Sequence, residues 1–150
     1  MAVMDIRKAG DKILKELAVP VGKIDRKTRN LLNDMAETMY AADGVGLAAP
    51  QVGVSQRIVV IDVGDGLIEL INPVIIAKDG CESGTEGCLS VPGMCGEVER
   101  YATVTVEAVN RSGKKFQING AGLLARALQH EIDHLDGILF IELAKTMRKG

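Results

Sequence analysis

Gln129-His130-Glu131-Ile132-Asp133-His134 is the segment around which the rest of the sequence can be arranged, and it contains both histidines of the chain. The histidines are four residues apart, just over one helical turn, so both imidazoles leave the same face of a helix and can bind one cation. Neutral imidazole binds zinc, iron, nickel or cobalt, and the carboxylate of Glu131 can take a proton from a metal-bound water. The segment therefore indicates metal-assisted hydrolysis.

Apolar residues surround this segment and predict that its helix is buried. They are Leu123, Leu124, Ala127, Leu128, Ile132 and Leu135. The alternative for so short a motif is a pair of surface or capped helix histidines. Burying an unliganded histidine pair beside a carboxylate would cost free energy, and a metal ion removes that cost. We therefore expect a metal-binding helix inside the fold.

The composition is that of an ordinary globular protein. The chain has 150 residues, of which 47% are hydrophobic and 25% charged, and its formal net charge is -2. This balance gives no electrostatic reason to bind nucleic acid. The first residues lack the apolar core of a signal peptide, and no apolar run approaches the roughly 20 residues that cross a bilayer. We expect a single domain over residues 1–150 that is cytoplasmic, without direct nucleic-acid binding and without membrane contact.

The first half of the chain predicts a helix followed by strands. Asp25 can cap a helix that runs to about Ala42, with Gly44 ending it. Strands are expected over 58–63 and 67–70, on either side of the turn Gly64-Asp65-Gly66.

The second half predicts another hairpin and then the histidine helix. Strands over 103–106 and 114–118 flank a turn at 110–113, and after Asn119-Gly120 the helix begins, to be closed by Gly137. Strands in the middle with helices at the flanks favour an α+β domain over alternating βαβ units. We expect mixed, mainly antiparallel strands packed around the buried metal-binding helix.

The loop Gly44-Val45-Gly46-Leu47-Ala48-Ala49 matches the G-x-G-x-x-A pattern of dinucleotide-binding proteins. That site needs a strand before the pattern and a helix opening within it. Here a helix precedes the pattern and Pro50 follows it, so a nucleotide site is disfavoured. The glycines also let the backbone approach a ligand, and Gln51 offers an amide donor to a developing oxyanion. A hydrated turn residue is the alternative for Gln51.

Two histidines leave a catalytic metal one protein ligand short, because such sites typically use three and keep one position for water. The candidates are carboxylates and the cysteines Cys81, Cys88 and Cys95, an odd number that argues against a disulfide framework in a reducing compartment. Cys88 lies in Glu86-Gly87-Cys88-Leu89-Ser90, where Leu89 offers a backbone N–H near the metal. Spacing alone does not separate Cys88 from the other two cysteines.

Three strings together resemble the signature motifs of the peptide deformylases, in the order found in that family. They are Gly44-Val45-Gly46-Leu47-Ala48-Ala49-Pro50-Gln51, Glu86-Gly87-Cys88-Leu89-Ser90 and Gln129-His130-Glu131-Ile132-Asp133-His134. The spacing without a long insertion is similar to the compact bacterial type. The resemblance implies removal of formate from the N-formylmethionine that begins new bacterial chains.

The resemblance also implies a site. Cys88, His130 and His134 would bind one divalent metal, natively iron(II), with zinc, nickel or cobalt able to replace it. Glu131 would take a proton from the attacking water and pass it to the leaving amine. The side-chain amide of Gln51 and the backbone N–H of Leu89 would stabilise the oxyanion. The family also implies transient ribosome association.

The substrate would lie against Gly46 through its backbone, and methionine would fill an apolar pocket lined by Val45 and by helix residues before His130. Arg126 lies one turn before His130, about on the ligand face. It would either extend along the pocket rim with its head in water or contact the substrate directly. Asp133 is expected to form an ion pair or cap rather than bind metal.

Two other functions share part of this pattern. A His-Glu-x-x-His endopeptidase would need a later third ligand, and Glu142 is the one later carboxylate that could serve. A structural metal module would use Glu131 only behind the ligands, although structural sites usually have four protein ligands and no open position.

Overall fold

Two sheets and two α-helices make up residues 2–149, which a computed structural model describes. The helices are α1 (Arg26–Ala41) and α2 (Gly122–Leu135), and the strands are β1 (Gly46–Ala48), β2 (Ile58–Ile61), β3 (Ile68–Asp79), β4 (Glu82–Cys88), β5 (Val91–Arg100), β6 (Thr103–Val109), β7 (Lys115–Ala121) and β8 (Thr146–Lys149). Short 3-10 helices lie at Lys12–Lys15, Ala49–Val52 and Phe140–Glu142. Met1 and Gly150, the ends of the expected domain, lie outside the described residues.

The larger sheet has the strand order β1-β2-β3-β6-β7, and the smaller has the order β4-β5-β8. Neighbouring strands in both sheets are antiparallel. An isolated parallel bridge joins Val19 and Gln56. The expected α+β class with mainly antiparallel strands is confirmed.

The larger sheet is covered by a helix on each face. Successive residues of a strand point to opposite faces, and β2 shows this alternation. Val59 and Ile61 pack in the cluster that contains Leu128 and Leu135 of α2. Ile58 and Val60 pack in the cluster that contains the α1 residues Leu32, Met35 and Met39. The histidine helix therefore lies against the middle of the fold, as the sequence predicts.

Helix α1 begins as expected and ends differently. The carboxylate of Asp25 accepts a hydrogen bond from the backbone N–H of Thr28 at 3.1 Å, which caps the first turn. At the other end the left-handed residue is Asp43, with φ 56°, and the N–H of Gly44 donates to the carbonyl of Met39. Gly44 closes the helix through its N–H, but the left-handed residue expected of such a glycine is Asp43. A Cβ on Gly44 would lie 2.7 Å from the end of the Leu89 side chain, which would have to shift.

Helix α2 begins after Asn119-Gly120, as the sequence predicts. Strand β7 continues to Ala121, beyond the strand predicted over 114–118, and the first residue of the helix is Gly122, with φ 58°. Its end is confirmed at Gly137, which has φ 75°. The N–H of Gly137 donates to the carbonyl of His134 and that of Ile138 to the carbonyl of Asp133, the Schellman pattern.

Three of the predicted strands are longer in the structure, whereas the strand predicted over 58–63 ends at Ile61. Strand β3 was expected to end at Leu70 but continues to Asp79. Pro73 lies where its pairing with β6 shifts register, between Ile71 and Val74. A bulge of this kind lets a strand pass a residue that has no N–H to donate. The predicted turn at 110–113 is confirmed by the bond from the Gly113 N–H to the Asn110 carbonyl.

Candidate active site

Cys88, His130 and His134 form a group of side chains within residues 2–149 that could bind a metal ion. Their donor atoms all lie within 4.8 Å of one another, and Cys88 Sγ is 3.3 Å from His134 Nε2. Cys88 ends β4, whereas the histidines lie one turn apart on α2. A thiol and two imidazoles are the ligands that zinc, iron, nickel and cobalt accept, so these residues fit the expected metal.

Glu86 fixes the orientation of the His130 ring. Its Oε1 lies 2.8 Å from His130 Nδ1, which leaves Nε2 for the metal-binding group. Arg100 donates two hydrogen bonds to Glu86, both at 2.8 Å, and another to Asp133 at 2.5 Å. Arg100 thus connects β4 with α2. The ion pair expected for Asp133 is confirmed.

The charges in this network are set by burial and by close partners. Burial raises the pKa of Glu86, but the hydrogen bonds from Arg100 and His130 outweigh it and hold that pKa at about 2. Burial lowers the pKa of His130, but hydrogen bonds to Cys88 and Glu86 raise it to about 10. Burial and the charge of His130 lower the pKa of His134 well below its usual value. A divalent cation among these atoms would replace the proton on His130 Nε2.

Whereas Glu86 lies at Nδ1 of the His130 ring, Glu131 has a buried carboxylate near Nε2 of the same ring. Its Oε2 is 4.0 Å from His130 Nε2, and its Oε1 has no hydrogen-bond partner within residues 2–149. Burial raises the pKa of Glu131 to about 7. A carboxyl group with a pKa near neutrality can both accept and release a proton at pH 7. A Cβ on Gly46 would lie 2.6 Å from Glu131 Oε2, so glycine makes room for this carboxylate.

Gln51 is buried with its amide in a defined orientation. Its Oε1 accepts a hydrogen bond from the backbone N–H of Ala48 at 2.9 Å. Its Nε2 donates to Ser90 Oγ at 3.1 Å and lies 3.6 Å from Cys88 Sγ. The amide nitrogen therefore faces the metal-binding group, as an oxyanion donor must.

The amino-terminal segment joins the two loops that carry Gln51 and Ser90. The N–H of Arg7 donates to the carbonyl of Gln51 at 2.6 Å, and the N–H of Ala9 donates to the carbonyl of Ser90 at 2.8 Å. These backbone bonds fix the distance between the loops.

A cavity of about 490 Å³ opens beside the metal-binding group. Every residue that the sequence proposes for catalysis, metal binding or substrate contact lines it, except His134. These residues are Val45, Gly46, Gln51, Cys88, Leu89, Arg126, His130 and Glu131. His134 lies behind them, 1% exposed. Leu123 and Ala127, helix residues before His130, also line the cavity, where the sequence places the methionine pocket.

Arg126 does not extend into water. Its side chain is 13% exposed, and the expectation of a solvated guanidinium is wrong. The guanidinium donates to Glu86 Oε2 at 2.7 Å and to the backbone carbonyls of Val98 and Glu82, both at 2.9 Å. The partial burial of a charged head is possible because all of these bonds compensate the lost hydration.

Sequence reasoning missed Glu86, Arg100 and Ser90 as parts of the site. Glu86 and Ser90 flank Cys88 within its motif, so their proximity to the ligand was a usable signal. The sequence around Arg100 gave no such signal. Its partners Glu86 and Asp133 come close to it only through the pairing of β4 with β5 and the packing of α2.

The other candidate ligands lie elsewhere. Cys81 and Cys95 are free thiols outside the metal-binding group. Glu142, the third ligand that an endopeptidase would need, pairs with Lys15 at 2.6 Å and accepts a hydrogen bond from the N–H of Leu139.

Known proteins are similar to this one along nearly the whole chain. The model of the polypeptide deformylase family matches residues 3–150. The chain belongs to the peptide deformylase family. It is 62% identical over 142 residues to the peptide deformylase of Acetivibrio thermocellus, which covers 95% of this chain and 84% of that protein. It is 58% identical over 149 residues to that of Pelotomaculum thermopropionicum, with coverage of 99% and 96%.

Solved deformylase structures agree with this assignment. The crystal structure of the Thermotoga maritima peptide deformylase has a TM-score of 0.94 at 44% identity, covering 96% of this chain and 99% of that one. Peptide deformylases are metal-dependent hydrolases that remove the N-formyl group from new polypeptides, and the function expected from the sequence is confirmed. No helix within the described residues is long and apolar enough to cross a membrane.

Proposed function

We propose that Cys88, His130 and His134 bind one divalent metal per chain and that this metal is iron(II) in the cell. The observation that carries the ligand set is the placement of the three donor atoms within 4.8 Å of one another, with Cys88 and His130 at the wall of the cavity and His134 behind them. The choice of iron rests on the resemblance to the family. Zinc, nickel or cobalt would fit the same donors.

When bound, the metal supplies a Lewis acid that polarises the formyl carbonyl and acidifies the attacking water. Glu131 takes the proton from that water and delivers it to the nitrogen of the leaving amine, so that the C–N bond breaks and formate is released. Support comes from the pKa of about 7 that burial gives this carboxyl group and from the oxygen without a partner.

Gln51 and Leu89 stabilise the oxyanion that forms on the formyl oxygen. The side-chain amide of Gln51 is held by Ala48 and Ser90 before substrate arrives, so little reorganisation is needed during the reaction. The second donor is the backbone N–H of Leu89, the residue that directly follows the ligand Cys88 in the sequence. Removing one donor of this kind costs about 3 kcal/mol of transition-state stabilisation.

The cavity binds the formylmethionine end of the substrate. Val45 and the methylene groups of Arg126 supply apolar surface for the methionine side chain, and the backbone at Gly46 contacts the peptide. These residues all line the cavity.

Residues 1–150 act as one catalytic domain, and we place its work in the cytoplasm, where formylated chains emerge from ribosomes. Transient contact with the ribosome would bring the enzyme to its substrate. Co-sedimentation of the protein with translating ribosomes at low salt, compared with empty ribosomes, tests this part of the proposal.

The decisive assay measures kcat/KM for formate release from formyl-Met-Ala-Ser beside release of acetate from acetyl-Met-Ala-Ser. A cavity shaped around a formyl carbon has no room for a methyl group, and steric exclusion can exceed the roughly 10 to 200-fold effect of one methylene. We expect rapid deformylation and almost no deacetylation. Comparable rates on both peptides, or cleavage of an unstructured protein at internal bonds, would contradict the proposal.

The ligand set is tested by three cysteine variants. Cys88→Ala should lose both metal and activity, whereas Cys81→Ala and Cys95→Ala should retain both, since their thiols lie outside the metal-binding group. Metal content of each purified variant, measured by elemental analysis, decides the matter. Equal metal loss in all three would overturn the assignment.

A further inference from the structure

We propose that Arg126 is a positioning residue, which acts on the metal ligand His130 through Glu86. The inference rests on the proposed metal site and gives Arg126 a role in it that does not depend on the substrate. Its guanidinium supports the carboxylate that orients the ligand, while its methylene groups line the cavity.

One carboxylate joins the arginine to the ligand. Arg126 donates to Glu86 Oε2 at 2.7 Å, and the other oxygen of the same group lies 2.8 Å from His130 Nδ1. Arg126 and His130 are one turn apart on α2, so a single helix carries both the ligand and the support for its partner. Because Glu86 is 5% exposed, its position depends on these protein partners rather than on water.

The guanidinium is itself held in place by two strands. Besides Glu86 it donates to the carbonyl of Glu82 on β4 and to the carbonyl of Val98 on β5. A Cβ on Gly84 would lie 3.0 Å from Arg126 Cζ, so the absence of a side chain at that position lets the guanidinium lie against β4. Turning toward a substrate would break three hydrogen bonds. The geometry therefore favours support of Glu86 over contact of the guanidinium with the peptide.

Removing the guanidinium leaves Glu86 with Arg100 as its remaining arginine partner, beside His130. Arg100 donates to both oxygens of Glu86, so the carboxylate should remain in the site but with greater freedom. Partners that orient a metal-bound histidine typically contribute 10 to 100-fold to metal affinity. Arg126 contacts Glu86 rather than His130 itself. We therefore expect its removal to weaken metal binding by about tenfold, at the lower end of that range.

The test compares Arg126→Met and Arg126→Lys with the unmodified protein. Methionine keeps an apolar stem in the cavity wall and removes the donors, whereas lysine keeps the charge with a single donor group. The matched control is Arg111→Met, because Arg111 also donates to a carboxylate, that of Glu69, and to a further partner, Asn33, outside the site. Each protein is loaded with cobalt(II), and we measure its absorption spectrum, the rate of metal loss to a chelator, and kcat and KM in excess metal.

Arg126→Met should lose cobalt about tenfold faster and show an altered cobalt spectrum, with kcat reduced more than KM is raised. Arg126→Lys should be intermediate, and this milder change keeps the test decisive if methionine prevents folding. Arg111→Met should lose metal at the normal rate. Equal metal loss in Arg126→Met and the unmodified protein, or a rise confined to KM, would overturn the role of Arg126.

A separate outcome identifies failure of the metal site itself. If Cys88→Ala retains cobalt as firmly as the unmodified protein, the ligand set is wrong, and the support proposed for it falls with it. If Cys88→Ala loses cobalt but Arg126→Met matches the unmodified protein, only the inference about Arg126 is overturned. A similar acceleration in Arg111→Met would also overturn it, by showing that loss of any such ion pair loosens the metal.

Discussion

Glu86 and Glu131 are both buried beside His130, yet their surroundings give them opposite proton affinities. Glu86 is surrounded by donors, and its pKa lies at about 2. Glu131 has an oxygen without a partner in the described part of the chain, and its pKa lies at about 7. One carboxylate is therefore a fixed anion that orients a ligand, and the other can exchange a proton. Environments that separate two pKa values in this way assign the roles in acid–base catalysis.

Glu131→Gln is expected to keep the metal and lose turnover. The amide preserves the size of the side chain but cannot accept the proton, so kcat should fall by about 10² to 10⁴. Steady-state kinetics with matched metal content measures the effect. Glu142→Gln is the control, since Glu142 lies outside the site in a surface pair with Lys15. Near-normal turnover by Glu131→Gln would show that another group takes the proton.

Gly46→Ala should displace the carboxylate of Glu131, which lies against Gly46. The new Cβ would lie 2.6 Å from Glu131 Oε2, which forces the acid out of position. We expect a loss of about 1–3 kcal/mol in unfolding free energy and a large fall in kcat with metal retained. Gly22→Ala is the control because a Cβ there meets nothing within 4 Å. Denaturant unfolding and steady-state kinetics are measured on both variants. Equal unfolding free energies and equal kcat values in Gly46→Ala and Gly22→Ala would contradict the prediction.

At the scale of elements, local signals predicted the helices better than the strands. Asp25 and Gly137 work through their own backbone neighbours, so the sequence identifies them as helix ends. Gly44 is different, because a Cβ there would crowd the end of the Leu89 side chain, which is distant in the sequence. The continuation of β3 past Pro73 likewise depends on how β6 pairs with it. No local pattern contains that information.

The candidate site likewise contains residues that the sequence can predict and contacts that it cannot. The two histidines and Glu131 could be proposed from their spacing, and Cys88 from the resemblance of its motif to the peptide deformylases. The bonds from Arg100 and Arg126 to Glu86 could not, because they join α2 and β5 to β4 and exist only after the smaller sheet has formed.

Gly137→Ala tests how the end of α2 is held. Its φ of 75° disfavours any side chain, and a Cβ would also lie 2.5 Å from the carbonyl oxygen of Lys15. Gly113→Ala shows the first effect alone, since Gly113 has φ 82° and nothing within 4 Å of its Cβ position. We expect a loss of about 1 kcal/mol for Gly113→Ala and of roughly 1–3 kcal/mol more for Gly137→Ala. Equal losses by urea unfolding would mean that the backbone near Lys15 moves freely.

For the molecule as a whole, the site exists only where separate parts of the fold meet. Cys88 comes from the smaller sheet, the histidines come from the helix packed on the larger sheet, and Gln51 follows β1 at the edge of that larger sheet. Arg100 and the backbone bonds of Arg7 and Ala9 connect these parts. The metal-binding group is therefore absent from the unfolded chain.

Metal binding should accordingly stabilise the entire fold. A ligand that binds only the folded state at about 100 times its Kd adds about 2.7 kcal/mol, which corresponds to roughly 5–11 °C in Tm for a chain of this size. Chelating the metal should lower Tm by such an amount, and adding nickel or zinc should restore it. Cys88→Ala should show a Tm that does not respond to metal. Cys88 and the histidines lie on elements that must pack together before one cation can bind all three side chains. An unmodified protein whose Tm is the same with and without metal would therefore contradict the expected coupling of metal binding to folding.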